Sequence, residues 1–287
     1  TGAGACSAVT CHGSLQPNRS GKTRSNEYTV WSQKDSHAKA FEVLHSKKSQ
    51  KIARALKFGV AAKSEKCLTC HTTGDGSRTG MGGVAYKNEK LQGRNYDPEE
   101  GVSCNACHGP AERWLASHAD KGWTTGIRRE HSDRSELFRR FGFYDTKPVM
   151  QRANNCVSCH LRIEPQMVQA GHPPLYFELF SFSERMPPHW KDRGSFFRPS
   201  LWAAGQTASL EEALRQLANR AKADAKTDFV NQARVQALGH AAVLRHALPD
   251  SSRIPLEEII TSLRSVGNDP EKIASTAESS IKVVSAL

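Results

Sequence analysis

The sequence predicts a mainly α-helical fold, with helices and long loops wrapped around a non-peptide core, little β structure, and a C-terminal helical segment. Three observations predict it. Apolar residues after position 206 recur at helical spacing, as in Leu210, Ala213, Leu214, Leu217 and Ala221. Strand-like alternation is weak throughout. The third is a shortage: only 38% of the 287 residues are hydrophobic and 7% aromatic, and mean hydropathy is −0.57. Side chains alone build a poor core at that composition, yet apolar runs persist, so the chain is not disordered. Collagen, coiled coil and integral membrane protein are excluded, the last because no run approaches the roughly 18 apolar residues of a spanning helix.

The elements follow in order. Residues 1–30 form a Gly/Ser/Asn-rich lead, and 31–58 read as helical. Residues 64–126 carry two cysteine motifs around a Gly-rich stretch, Gly74–Gly101, that lacks phosphate-loop spacing and reads as a surface excursion. A helix is expected over 131–144, ending near Gly142, and another motif over 150–162. The aromatic, proline-containing stretch 172–205 reads as irregular packing. Residues 207–247 read as helix with a break near Thr227 and a stop at Pro249, followed by helices over 256–266 and 270–286. The expected organisation is one domain over 1–205 and a helical segment over 206–287 packed on it.

The eight cysteines carry the chemistry. Cys67-Leu-Thr-Cys70-His71, Cys104-Asn-Ala-Cys107-His108 and Cys156-Val-Ser-Cys159-His160 repeat C-x-x-C-H, the attachment pattern for haem c. Two thiols add across the vinyl groups of one macrocycle, and the adjacent imidazole lies beneath its iron. Cys6 and Cys11, followed by His12, are separated by four residues, and a loop that bulges outward lets them form a variant of the same site. Four disulfides or Cys-rich zinc sites are the competing readings. Neither accounts for a histidine after the second cysteine of every pair, and a disulfide across C-x-x-C is strained. Four covalent haems, each a large apolar plate, make up the missing core.

Covalent haem attachment occurs outside the bacterial cytoplasm, so a periplasmic or extracytoplasmic location is expected. The opening TGAGACSAVTCH has no initiator Met and no basic or apolar leader, which reads as a mature or trimmed chain. The net charge of +11 largely offsets haem propionates. Short basic runs such as Arg128-Arg129 and Arg139-Arg140 alternate with acids, which argues against a nucleic-acid partner.

Twelve histidines less four proximal ones leave His37, His45, His118, His131, His172, His189, His240 and His246 as possible second ligands. Three phrases, WSQKDSHAKA (31–40), CNACHGPAERW (104–114) with His118, and GHPPLYFEL (171–179) with MPPHW (186–190), together with the four ordered motifs, resemble multihaem cytochromes c of the cytochrome c-554 type. The resemblance covers about residues 5–190 and fades after about 205. Some relatives carry a further haem motif downstream, which this chain lacks, having no cysteine after Cys159. The resemblance implies distal roles for His37, His118 and His172, and in this type one haem can be five-coordinate. The local sequence agrees in part. His37 lies in an amphipathic pattern with small neighbours, Trp114 precedes His118 by one turn, and Pro173-Pro174 fix the backbone after His172. For the fourth haem, His189, His131, His45, one of Met81, Met150, Met167 and Met186, or an open site stand as alternatives. His240 and His246 read as structural.

The expected function is electron transfer between redox partners, a membrane-bound redox complex among them, by mostly bis-His haems. An enzyme acting on a small nitrogen or sulfur compound at a five-coordinate haem, and a subunit of an extracellular haem assembly, are the alternatives. No lysine replaces a proximal histidine, as one nitrite-reducing family requires.

Overall fold

The computed structural model describes residues 2–21, 23–73, 97–120, 122–123, 140–192, 194–195, 197–223 and 225–286. Among these the chain is all helix, turn and loop, without a strand. Contacts divide it into two compact units: Thr1–Asn155 with Ser183–Arg193, and Cys156–Phe182 with Gly194–Leu287. His131, Met81, most of the Gly-rich stretch and most of the expected 131–144 helix lie outside the described residues. The end of that helix is seen: residues 140–141 are helical, and Gly142 turns the chain with φ +73°.

The first unit is built from short pieces: α1 (Glu27–Lys34), α2 (Lys47–Ala55), α3 (Glu65–His71), α4 (Cys104–His108) and the start of α5 (Val149–His160), joined by single 3₁₀ turns. The expected helical stretch over 31–58 is broken twice, each time by a capping side chain. Asp35 accepts the backbone N–H of His37, so α1 ends and a 3₁₀ turn, Ser36–Lys39, begins. Ser46 accepts the N–H of Ser49 and starts α2. His37 therefore lies on a 3₁₀ turn and not on an amphipathic helix. Its buried apolar side chains fall into small groups, Phe41, Leu44, Ala53 and Ala61 in one, and Ala111, Trp114 and Trp123 in another.

The second unit holds the end of α5, α6 (Pro165–Gln169), the start of α7 (Leu179–Arg185) and four long helices: α8 (Phe197–Lys222), α9 (Thr227–Ala247), α10 (Asp250–Ser265) and α11 (Pro270–Val284). The aromatic stretch over 172–205 is more regular than expected, since α7 and the beginning of α8 lie in it. The boundary expected between 205 and 206 falls inside α8, whose periodicity runs unbroken through Leu201, Gly205 and Leu210. Asp269 caps α11 by accepting from Lys272 N–H, with Pro270 at the first helical position, where its missing N–H is not needed. These four helices share one apolar core running through Leu210, Leu214, Leu217, Leu244, Leu256, Leu263 and Ile273. Each buried leucine contributes roughly 1.5–3 kcal/mol of transfer free energy.

Candidate metal centres

In three of the motifs the histidine is the last residue of a helix: His71 of α3, His108 of α4 and His160 of α5. Within C-x-x-C-H the two thiols and the imidazole stand at i, i+3 and i+4, which is one face of an α-helix. Beyond the histidine the chain leaves that face. Thr72 is extended, and Gly109 takes φ +79°, open to a residue without Cβ. The first pair is built differently. Cys6 closes the 3₁₀ turn Ala3–Cys6, and the backbone N–H groups of Cys11 and Gly13 both donate to Ala8 O. Of the four intervening residues, Ala8–Thr10 loop outward into solvent, with Val9 70% exposed. No disulfide joins any of the eight cysteines.

The first and third motifs lie side by side in the first unit. Glu100 accepts the N–H of Ala3 with both carboxylate oxygens, at 3.0 and 2.9 Å. The interaction between the Cys6 and Cys104 thiols lowers Cys6 to about 7 and, with burial, raises Cys104. The turn bearing His37 is held to the same region. Val102 N–H donates to His37 O at 2.9 Å, and Trp31 Nε1–H donates to Val102 O at 2.9 Å. Gly101 permits this approach: its φ is +62°, and a Cβ there would stand 2.6 Å from His37 O.

Two pairs of imidazoles face each other. His12 and His118 have ring centres 6.3 Å apart and planes 14° from parallel. His108 and His189 have ring centres 6.3 Å apart and planes at 25°. Two metal–imidazole bonds of about 2 Å, with the half-width of each ring, require about 6 Å between ring centres. Each pair thus joins a motif histidine to one of the spare histidines, at the spacing of two ligands on one iron. His189, left open by the sequence as a ligand of the fourth haem, is brought opposite the third motif.

The orientation of the rings points the same way. Nδ1 is hydrogen bonded to an oxygen in His12 (Glu27 Oε2, 2.9 Å), His37 (Asp35 Oδ1, 2.9 Å), His71 (Ala40 O, 2.8 Å), His118 (Leu115 O, 2.5 Å) and His172 (Pro173 O, 2.8 Å). Such a partner fixes the tautomer and turns Nε2 toward a metal. Glu27 and Asp35 gave no signal as orienting residues in the sequence beyond the closeness of Asp35 to His37; Glu27 is fifteen positions from His12.

The electrostatics separate the two pairs. The hydrogen bond to Glu27 raises His12 against the effect of burial. Burial pushes the Glu27 and Asp35 carboxyls up, but their histidine partners together with backbone N–H donors more than reverse this, and both end below the ordinary carboxylate value. Burial pushes His108 down to about 4, with His189 adding to the effect, and burial also lowers His189. Burial thus favours the neutral form of both imidazoles of the second pair, the form that ligates a metal.

In the second unit His160 packs against Phe177, with ring centres 5.5 Å apart, and against Phe182 edge-on at 5.2 Å. The segment after it is gripped by the polar face of α8. Gln216 Nε2 donates to Leu161 O, and Arg162 forms a two-point ion pair with the buried Glu212. His172 lies in this unit. Of the other spare histidines, His45 packs edge-on against Phe41, His240 bonds Gln206, and His246 is exposed beside Arg245.

These residues fit haem. The paired imidazoles stand at a separation suited to two ligands of one metal ion, and in the three C-x-x-C-H motifs the thiols stand on the same helical faces as their histidines. Trp114, edge-on to His118 at 5.3 Å, buries an indole N–H that has no acceptor among the described residues, as fits a site where a porphyrin carboxylate supplies one. Among the described residues no cluster of three or more His, Cys, Asp or Glu side chains is arranged around a metal position.

Residues 5–109 match the family model described as cytochrome c554 and c-prime, a stretch that contains the first three motifs and ends one residue after His108. No curated protein and no solved structure matches the chain. No helix among the described residues is long and apolar enough to cross a membrane. The matched stretch supports a cytochrome c family, and with it covalently bound haem c and haem-based electron transfer.

Proposed function

We propose that the chain is a periplasmic tetrahaem c-type cytochrome that relays electrons between redox proteins, a membrane-bound complex among them. The observation that carries this reading is the two pairs of near-parallel imidazoles, His12 with His118 and His108 with His189, each at 6.3 Å. On this reading Cys6 and Cys11 hold one haem between His12 and His118, and Cys104 and Cys107 hold another between His108 and His189. Cys67 and Cys70 with His71, and Cys156 and Cys159 with His160, hold two more, for which His37 and His172 are the remaining distal ligands.

Bound haem c supplies reversible one-electron chemistry, at a potential set by axial ligand, burial and nearby charge. The protein's part is positioning. Glu27, Asp35 and the backbone acceptors of Ala40, Leu115 and Pro173 fix the imidazoles by their Nδ1 protons. Held by two imidazoles, as His12 with His118 and His108 with His189 would hold it, a haem iron would be low-spin and suited to electron transfer without ligand exchange.

Low-temperature EPR of the oxidised protein tests the proposal. The near-parallel planes of both pairs predict rhombic low-spin ferric signals for the haems at Cys6/Cys11 and Cys104/Cys107. Predominantly high-spin ferric signals contradict it and favour an open site for substrate.

A further inference from the structure

We propose that Arg152 is a positioning residue for the iron ligand His189, acting through Trp190 and Asp192; this rests on the haem reading above. His189 lies in Met186-Pro-Pro-His-Trp-Lys-Asp192, which contains no helix or strand after Arg185. Two prolines restrict φ before the histidine but supply no hydrogen bonds that hold the segment in place. Its position must come from side-chain contacts, and these converge on Arg152.

The Arg152 side chain is 2% exposed. Its guanidinium bonds both carboxylate oxygens of Asp192, at 2.8 and 3.0 Å, and its Nε donates to Thr146 O at 3.1 Å. The same guanidinium lies 4.0 Å from the centre of the Trp190 ring. Trp190 Nε1–H donates to Thr146 Oγ1 at 3.2 Å, and the ring meets His189 edge-on at 5.0 Å. Arg152 thus grips the residue three after His189 by a planar fork and covers the residue directly after it. Lysine cannot do both, since the fork and the flat stacking surface belong to guanidinium.

Burying an arginine–carboxylate pair seldom adds stability over a well-packed apolar pair, and its best-attested use is to specify one arrangement among several. Here the arrangement specified is the 6.3 Å approach of His189 to His108. Two further contacts, Arg24 Nε–H to Trp190 O at 3.1 Å and Lys191 Nζ to Gly21 O at 2.6 Å, anchor the Trp190 carbonyl and the Lys191 side chain, and neither touches the His189 or Trp190 ring.

The test uses the full haem-loaded protein, with EPR and optical spectra of the ferric state and a pyridine haemochrome count. His189→Ala provides the reference: all haems retained, one of them converted from low to high spin. If His189→Ala leaves every haem low-spin, the ligand assignment fails independently of Arg152. Arg152→Gln is expected to retain all haems and convert that same haem, in whole or large part, to high spin, with added imidazole restoring the low-spin spectrum. Arg152→Lys is expected to fall between the two. A purely structural role predicts a lower melting temperature with every haem still low-spin, and that result overturns the proposal. Asp192→Asn reads the same signal if Arg152→Gln does not accumulate.

Discussion

Helices α8–α11 bury Leu210, Leu214, Leu217, Leu244, Leu256 and Leu263 in one continuous core. The first unit encloses its apolar side chains in separate small groups, among them Phe41 with Leu44 and Trp114 with Trp123. The helices differ in the same sense. Those of the second region run to 26 residues, whereas α3 and α4 have 7 and 5 and end on the histidines that would bind iron. Isolated helices that short are unstable in water, and tertiary packing must hold them. One region closes on its own side chains. The other is organised around positions for a non-peptide core, with paired imidazoles and an indole N–H that lacks an acceptor among the described residues.

The largest consequence follows if haem attachment is blocked by changing all eight cysteines to serine. The first unit should then lose its structure and become open to proteolysis, while a helical fragment beginning near residue 197 survives. Mass spectrometry of a limited digest reads the boundary. Uniform resistance along the chain means that the first unit folds without haem, and the contrast between the regions disappears.

Next in size is the reverse experiment. Leu214→Ala, at a fully buried position of the helical core, should destabilise the helices by about 2–5 kcal/mol in denaturant unfolding. The low-spin signals of the haems at Cys6/Cys11 and Cys104/Cys107, which lie in the first unit, should be unchanged. A spin-state change at either of them means that the two regions are not independent.

His118→Ala should convert the haem at Cys6/Cys11 to high spin with little effect on helix melting, checked by EPR beside thermal circular dichroism. Glu27→Gln should act more gently. It replaces a carboxylate on His12 Nδ1 with a neutral amide, so it should raise the potential of that haem by tens of millivolts in a spectroelectrochemical titration. No shift means that Glu27 only orients the ring.

The smallest effect concerns pH and the helical region alone. Burial lowers the pKa of His240, partly opposed by Glu178. Its folded value lies below its unfolded one, so its contribution is fully present above about pH 6.5 and is lost as pH falls toward the folded value. His240→Gln should flatten the acid side of the stability profile of α8–α11, and an unchanged profile assigns the acid sensitivity elsewhere.

Much of this was legible in the sequence because the spacings have only one local solution. Cysteines at i and i+3 with histidine at i+4 define a helical face wherever they fall, and Leu210, Leu214 and Leu217 define another. The break before Thr227 and the stop before Pro249 are equally local. The segment over 31–58 misled because Asp35 and Ser46 take up backbone N–H groups, and that competition outweighs the apolar periodicity. The pairing of His108 with His189 was hidden because eighty-one positions separate them in the chain. Arg152 and Glu27 left no motif at all. They act through contacts with residues distant in the chain, and no local pattern marks such residues.

The account rests on porphyrin joined through thioethers to each cysteine pair. Intact-mass measurement of the protein matured by a cytochrome c assembly system tests this directly. The expected mass is that of the polypeptide plus four haem groups, retained after denaturation; a mass equal to the bare polypeptide contradicts the account.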